Sequence, residues 1–456
     1  MNRIARRAGI AWVLVLVLLA GFGFFVYEYA VESSDWVMFS GSPHVYSGGN
    51  IGCGVITDRD GVLLLDTRDG RIYGSDPVLR ASTVHWVGDR YGSIYAPALP
   101  HYADKLAGHD LLNGIYSYAN AGGVAELTLI AKVQATALEA LGSYKGTVGV
   151  YNYKTGELLC AVTTPTYDPD NIPDIKGDTT GAYEGIYMNR FTQSVYIPGS
   201  IFKIVTLAAA LETIPDIQKQ TFSCTGTYKI GADEIVCEKV HRTQDVKKAF
   251  ANSCNCAFAQ IALQLGGETL DRYAEQFGIT QSLVFDGIKT ASGNFKVLNT
   301  APVNVAWSAI GQYKDQINPC RFMTYVGAIA AGGRGAEPYL VSRITCGGQE
   351  TYAAQTQMGD RLVSANTAKI LQEYLHNNVE VMYGANNFPG LTVCAKTGTA
   401  QVDGSEKPNA MIAGFVADEE YPLAFIVAVE DAGAGGKVCV PILSKVLAAC
   451  KESMDS

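Results

Sequence analysis

Residues 196–212 read YIPGSIFKIVTLAAALE. Pro198-Gly199 turns the chain, and the apolar run that follows predicts a buried helix starting just after Ser200. Lys203 lies three residues beyond Ser200, so the two side chains share one helix face. A serine hydroxyl is a weak nucleophile and needs a base within hydrogen-bond reach. Lysine can be that base where burial and a helix N-terminus disfavour its ammonium form. Ser200 is the only serine in the chain with lysine at i+3. Taken alone, the same residues also fit an N-cap serine followed by a solvated lysine.

Two later triplets bear on that choice. Ser253-Cys254-Asn255 sits inside a helical stretch. Serine and asparagine at i, i+2 cannot share a helix face, so they present from a turn between helices. There a hydroxyl can relay a proton and an amide can bind a substrate backbone. Ser292-Gly293-Asn294 and Ser364-Ala365-Asn366 have the same pattern, and Ser364 reads as a plain helix N-cap. Lys396-Thr397-Gly398-Thr399 lies on a predicted strand, where a glycine often marks close approach by a ligand or another backbone. Its lysine and two threonines suit a carboxylate. Lys154-Thr155-Gly156 is a decoy that reads as a hairpin turn.

Around these motifs, TVGVYNYKTGELLCAVTT predicts a strand pair. LTVCAKTGTAQV, AMIAGFVAD and LAFIVAVED predict three more strands, and VPILSKVLAAC a closing helix. ELTLIAKVQATALEALG, residues 126–142, has apolar residues at helical spacing. Two strands plus three would build one antiparallel sheet covered by the first and last helices, with the helical middle as a second lobe. Further upstream, ITDRDGVLLLDT (56–67) reads as two short strands around Asp60-Gly61. Gly433 to Gly436, interrupted by Ala434, reads as a flexible loop near the sheet.

S-x-x-K, S-x-N and K-T-G in this order resemble the active-site signature of penicillin-binding proteins and serine β-lactamases. Residues 147–168, SCNCAFAQIA and GQYKDQINPCRFMTYVGAIAAGG resemble the family's surrounding segments. The resemblance spans roughly residues 123–456. It implies an α/β (α+β) fold with a five-stranded antiparallel sheet flanked by helices, plus a helical lobe. It also implies that Ser200 attacks the penultimate D-Ala carbonyl of a peptidoglycan stem peptide to give an acyl-enzyme. Lys203 would take the proton, Ser253 would relay it to the leaving D-Ala, and Asn255 would hold the substrate amide. Lys396 would add positive charge, and Thr397, Gly398 and Thr399 would form the strand that holds the terminal carboxylate. The amides of Ser200 and Thr399 would form the oxyanion hole. β-Lactams would trap Ser200, a polymerase of the wall-synthesis machinery is the expected partner, and no metal or organic cofactor is called for. The chain departs from the pattern at Asn409-Ala410-Met411, where His-Ala-Trp is common, and at His241-Arg242, where His-Gly is usual. GQYKDQ lacks the usual second glycine.

The N-terminus sets the location. Ala8 to Tyr27 carries no charge and as a helix spans about 30 Å, a bilayer core. Arg3, Arg6 and Arg7 precede it and Glu28, Glu32 and Asp35 follow, which predicts a cytoplasmic N-terminus and an exported body. A cleaved signal peptide would need a shorter apolar region and a better site than Glu28-Tyr29-Ala30. Residues 1–27 are thus read as tail and single-pass membrane anchor, 28–122 as a juxtamembrane region, and 123–456 as the transpeptidase domain. The chain is 456 residues long with a formal charge of −9, which argues against nucleic acid as a partner.

Residues 28–122 are too few for a glycosyltransferase domain, so the expected member is a monofunctional transpeptidase. A D,D-carboxypeptidase or a β-lactamase would use water in place of the acceptor amine, and a non-catalytic scaffold of a wall-synthesis complex is the non-enzyme alternative. The chain has eleven cysteines. Cys224 and Cys237 flank a hairpin-like segment in an oxidising location and form the candidate disulfide, with free thiols as the alternative. Cys254 and Cys256 read as small packing residues, and His241 as structural.

Overall fold

Five strands make the central sheet, in the order Val393–Ala400, Asn409–Val416, Leu423–Val429, Gly146–Asn152, Leu158–Thr164, every neighbouring pair antiparallel. The structure is a computed structural model and describes residues 2–455 apart from 40, 43–44, 110, 113–121, 403 and 405–406. Four of the five strands are buried along their whole length. Their near-continuous apolar composition follows from being covered on both faces.

On one face, Val148, Val162, Ile412 and Val427 pack against helices Ala131–Leu141 and Gly435–Asp455. These are the first and last helices expected to cover the sheet. On the other face, Tyr151, Ala413, Phe415 and Ile426 join a core that includes helix Pro319–Ala330 and the helical lobe. That lobe contains helices Lys203–Thr213, Val246–Ala251, Asn255–Gln276 and Ala365–Asn378. Strand Val393–Ala400 is an edge strand, and its Thr397 and Thr399 are only half-buried. The edge therefore opens toward the lobe.

A second, six-stranded sheet was not foreseen. Its order is Gln349–Ala353, Val341–Cys346, Val124–Leu127, Val55–Thr57, Leu63–Asp66, Ile72–Tyr73, with one parallel pair between 55–57 and 124–127. The hairpin around Asp60-Gly61 is where the sequence placed it, with Gly61 at φ 82. The expected helix over 126–142 begins only at Ala131. Its first residues are taken into the sheet, where Val124–Leu127 pairs with Val341–Thr345. Tertiary pairing overrides the local helical spacing there. Its helix has no side-chain cap of its own, and Asp58 Oδ2 accepts from Ala131 N at 2.9 Å instead.

Helix Asn2–Val37 continues past Tyr27 and leaves its apolar side chains exposed. Among the described residues it is the one helix long and apolar enough to cross a membrane, with a mean hydropathy of 2.6 over an 18-residue window.

Candidate active site

The nucleophile turn is held from several directions. Gly199 N donates to Gly311 O at 3.0 Å, and Tyr196 pairs with Ile317. Gly311 is at φ 76, and a Cβ there would lie 2.2 Å from Gly199 O. The glycine opening GQYKDQ is thus required by the turn it packs on. Residues Gly199–Phe202 form a 3-10 turn, and the α-helix proper starts at Lys203. Ser200 stays half-buried while Lys203 is fully buried.

Lys203 Nζ is the hub. It lies 2.9 Å from Ser200 Oγ, 3.1 Å from Ser253 Oγ, 2.7 Å from Ser253 O and 2.7 Å from Asn255 Oδ1. The last two atoms can only accept. A neutral amine has two N–H groups for them and one lone pair left to receive the Ser200 proton. Burial, and then the positive charge of Lys396, hold Lys203 down to about 7 from the ordinary lysine value. Asn255 is oriented by its Nδ2 donating to Val236 O at 2.9 Å. As expected, Ser253 and Asn255 present from a turn between helices Val246–Ala251 and Asn255–Gln276, with Ser253 in the left-handed region at φ 51.

Strand Val393–Ala400 closes the other side. A Cβ on Gly398 would lie 2.7 Å from Pro198 O and 3.1 Å from Ile201 N, so glycine is what lets the strand lie on the nucleophile turn. Lys396 is buried, and burial holds it down to about 7 as well. Its Nζ donates to Thr397 O at 3.0 Å. Thr399 Oγ1 accepts from Gly435 N at 3.2 Å. All eight residues singled out in the sequence, Ser200, Lys203, Ser253, Asn255, Lys396, Thr397, Gly398 and Thr399, lie on the three elements around this cleft.

The decoys fall elsewhere. Lys154-Thr155-Gly156 is a hairpin turn whose first two amides donate to Asn152 Oδ1. Ser364 caps helix Ala365–Asn378 through Thr367 N. Two other expectations are corrected. The Gly433–Gly436 segment is not a free loop: helix Gly435–Asp455 begins inside it, and a Cβ on Gly435 would lie 2.2 Å from Gly398 O. The candidate bridge between Cys224 and Cys237 is absent, for all eleven cysteines are free thiols.

One contributor escaped the sequence reading. Tyr383 ends the turn Val379–Tyr383, and its Oη accepts from Thr397 N at 3.0 Å and from Thr397 Oγ1 at 3.1 Å. Nothing in its spacing distinguishes it from the other tyrosines. At position 242, where the family resemblance leads one to expect glycine, Arg242 takes the left-handed conformation at φ 59.

Comparison with known proteins adds independent findings. Residues 146–448 match the penicillin binding protein transpeptidase domain. The chain is 27% identical over 377 residues to the peptidoglycan D,D-transpeptidase PbpA of Mycolicibacterium smegmatis, covering 76% of each chain. It superposes with a TM-score of 0.76 on the D,D-transpeptidase domain of a peptidoglycan glycosyltransferase from Eggerthella lenta, at 25% identity, over 88% of this chain and 98% of that one. Penicillin-binding protein A from M. tuberculosis, solved as a ceftriaxone acyl-enzyme, superposes with a TM-score of 0.75 at 24% identity, over 87% and 98% of the two chains.

Proposed function

Because the chain belongs to the penicillin-binding protein transpeptidase family, we propose that it is a peptidoglycan D,D-transpeptidase acting through a serine acyl-enzyme at Ser200. The observation that carries this reading is the buried Lys203 amine within hydrogen-bond reach of Ser200, Ser253 and Asn255.

Neutral Lys203 takes the Ser200 proton as Oγ attacks the penultimate D-Ala carbonyl of a stem peptide. The tetrahedral oxyanion is held by the backbone N–H groups of Ser200 and Thr399, of which the first belongs to a helix's opening turn and has no intrahelical partner. The C–N bond to the terminal D-Ala then breaks, and Ser253 passes the proton from Lys203 to the leaving nitrogen. Asn255 Oδ1 retains a lone pair for a substrate N–H. Lys396 and Thr399 hold the terminal carboxylate, and Thr397, whose N–H and hydroxyl both donate to Tyr383 Oη, holds the strand that carries them. An amine of a neighbouring stem attacks the ester, the C–O bond to Ser200 breaks, and the cross-link and free serine result. β-Lactams enter the same first step.

The anchor reading, with residues 1–27 as tail and anchor and the N-terminus in the cytoplasm, is supported by the long exposed apolar helix and by the arginines before it. The division at 28–122 and 123–456 is one of sequence: the six-stranded sheet takes strands from both sides of it. A polymerase of the wall-synthesis machinery is the partner proposed for the exported body.

A fluorescent penicillin tests the reading. Stable labelling of the wild type and none of Ser200→Ala supports a transpeptidase. Rapid turnover of the label would indicate a β-lactamase, release of D-Ala without cross-linking a carboxypeptidase, and no label a scaffold.

A further inference from the structure

Four ligand-type side chains converge directly behind the second motif. Cys224 ends strand Thr221–Cys224, Cys237 follows strand Asp233–Val236, His241 precedes strand Arg242–Asp245, and Cys254 is the N-cap residue of helix Asn255–Gln276. Their donor atoms all lie within 4.8 Å of one another. His241 Nδ1 is 3.4 Å from Cys237 Sγ and 3.6 Å from Cys224 Sγ, and Cys237 Sγ is 3.9 Å from Cys254 Sγ. A tetrahedral zinc site with Zn–S near 2.3 Å and Zn–N near 2.0–2.1 Å has S–S edges of about 3.8 Å and S–N edges of about 3.5 Å. The three measured spacings fit those edges.

Packing alone does not account for the arrangement. The 221–245 segment is two separate two-stranded ribbons, with few buried apolar side chains beyond Phe222, Ile235 and the cysteines themselves. Ribbons of this size are marginal without further support. Three thiols and an imidazole nitrogen turned toward one point would give that support if a metal joined them.

We propose that Cys224, Cys237, His241 and Cys254 bind one zinc ion as a closed, four-ligand structural site. The three thiols lose their protons to solvent on binding, and the imidazole ligates in its neutral form through Nδ1. The set leaves no open position for substrate or water, so the ion acts by holding the chain. Cys254 lies between Ser253 and Asn255, and Asn255 Nδ2 is bonded to the carbonyl of Val236, next to Cys237. Zinc thus fastens the second motif to the ribbons through Cys254, beside the Asn255–Val236 hydrogen bond. It keeps Ser253 and Asn255 on Lys203. Zinc binding stands without the transpeptidase reading; its effect on acylation rests on that reading.

The test uses the full chain in detergent, purified under reductant, incubated with zinc sulfate and desalted. About one zinc per chain is expected, and cobalt(II) in its place should give the thiolate charge-transfer and strong d–d bands of a tetrahedral thiolate site. Cys224→Ser and His241→Ala should each weaken zinc binding about tenfold or more, while Cys256→Ser keeps it. Zinc removal by a chelator should slow penicillin labelling, and zinc should restore it. Zinc-free protein after incubation, cobalt bound without charge-transfer bands, or a Cys224–Cys237 or Cys237–Cys254 disulfide in unreduced peptides would overturn the site. The cobalt spectrum reads the wild type and so does not depend on the variants folding. Full zinc with labelling unaffected by its removal would overturn the motif-holding role. Full zinc with no labelling under any condition would count against the transpeptidase reading instead.

Discussion

Thr397 donates both its backbone N–H and its hydroxyl toward a single oxygen, Tyr383 Oη, at 3.0 and 3.1 Å. The strand that carries the third motif pairs with Asn409–Val416 on one side, and on its free edge it is held by a side chain from the turn that follows helix Ala365–Asn378. Tyr383→Phe leaves the ring and removes both bonds. We expect acylation by penicillin to slow about tenfold, from the loss of ~1–1.5 kcal/mol of positioning. Thermal stability should change little, since Thr397 is half-exposed and water can replace the phenol. A labelling time course beside a melting curve separates the two. An unchanged labelling rate would remove Tyr383 from the site.

The two buried lysines make acylation depend on pH in a definite sense. Lys203 must be neutral to accept the Ser200 proton, and its value is held down to about 7, so the rate rises as pH passes upward through that value. Lys396 must be charged to attract a carboxylate, and it too is held to about 7, so the rate falls above it. The second-order rate of labelling by a carboxylate-bearing penicillin should therefore be bell-shaped with its maximum near neutrality, the limbs belonging to the pair. Lys396→Ala should lower the rate, abolish the alkaline fall and move the acid limb to higher pH. The upward move follows because the Lys396 charge is the second cause of the depression at Lys203. An acid limb that stays in place would refute this coupling.

Gly435 shows how helix Gly435–Asp455 supports the site. A methyl there would meet Gly398 O at 2.2 Å and Met411 O at 2.7 Å, both backbone atoms of the sheet. Gly435→Ala should push the helix start off the third motif and break the Gly435 N to Thr399 Oγ1 bond. Overpacking of this kind costs ~1–3 kcal/mol. We expect a lower melting temperature together with slower labelling. Gly436→Ala, with open space around its Cβ, should do neither.

The motif residues were legible because each carries its chemistry within a few positions of chain. Ser200 and Lys203 share a helix face, and Ser253 and Asn255 have a spacing that only a turn can present. The five-stranded sheet was legible because its strands are long and continuously apolar. By contrast, the six-stranded sheet uses strands of two to six residues, and it brings 341–346 beside 124–127, a pairing no local pattern encodes. Tyr383 and Gly435 were missed for the same reason: their roles are contacts across the fold. The cysteines were read in pairs along the chain, and the cluster that forms draws on four segments.

Asp58 joins the two sheets' surroundings through one carboxylate. Its Oδ1 accepts from Asp60 N and Val62 N, closing the turn of hairpin 55–66, and its Oδ2 accepts from Ala131 N, the opening amide of a helix that packs on the five-stranded sheet. The side chain is almost wholly buried. Asp58→Ala removes a helix cap and the acceptor of two turn amides, donors that water can reach, a loss of ~1–2 kcal/mol. Asp58→Asn keeps one carbonyl oxygen, so it can serve the turn or the helix but not both, and its cost should be intermediate. Denaturant unfolding should rank wild type above Asp58→Asn above Asp58→Ala, while penicillin labelling well below the melting temperature stays at the wild-type rate. Slower labelling in the folded Asp58→Ala protein would mean that the hairpin turn reaches the catalytic cleft, contrary to a purely structural cap.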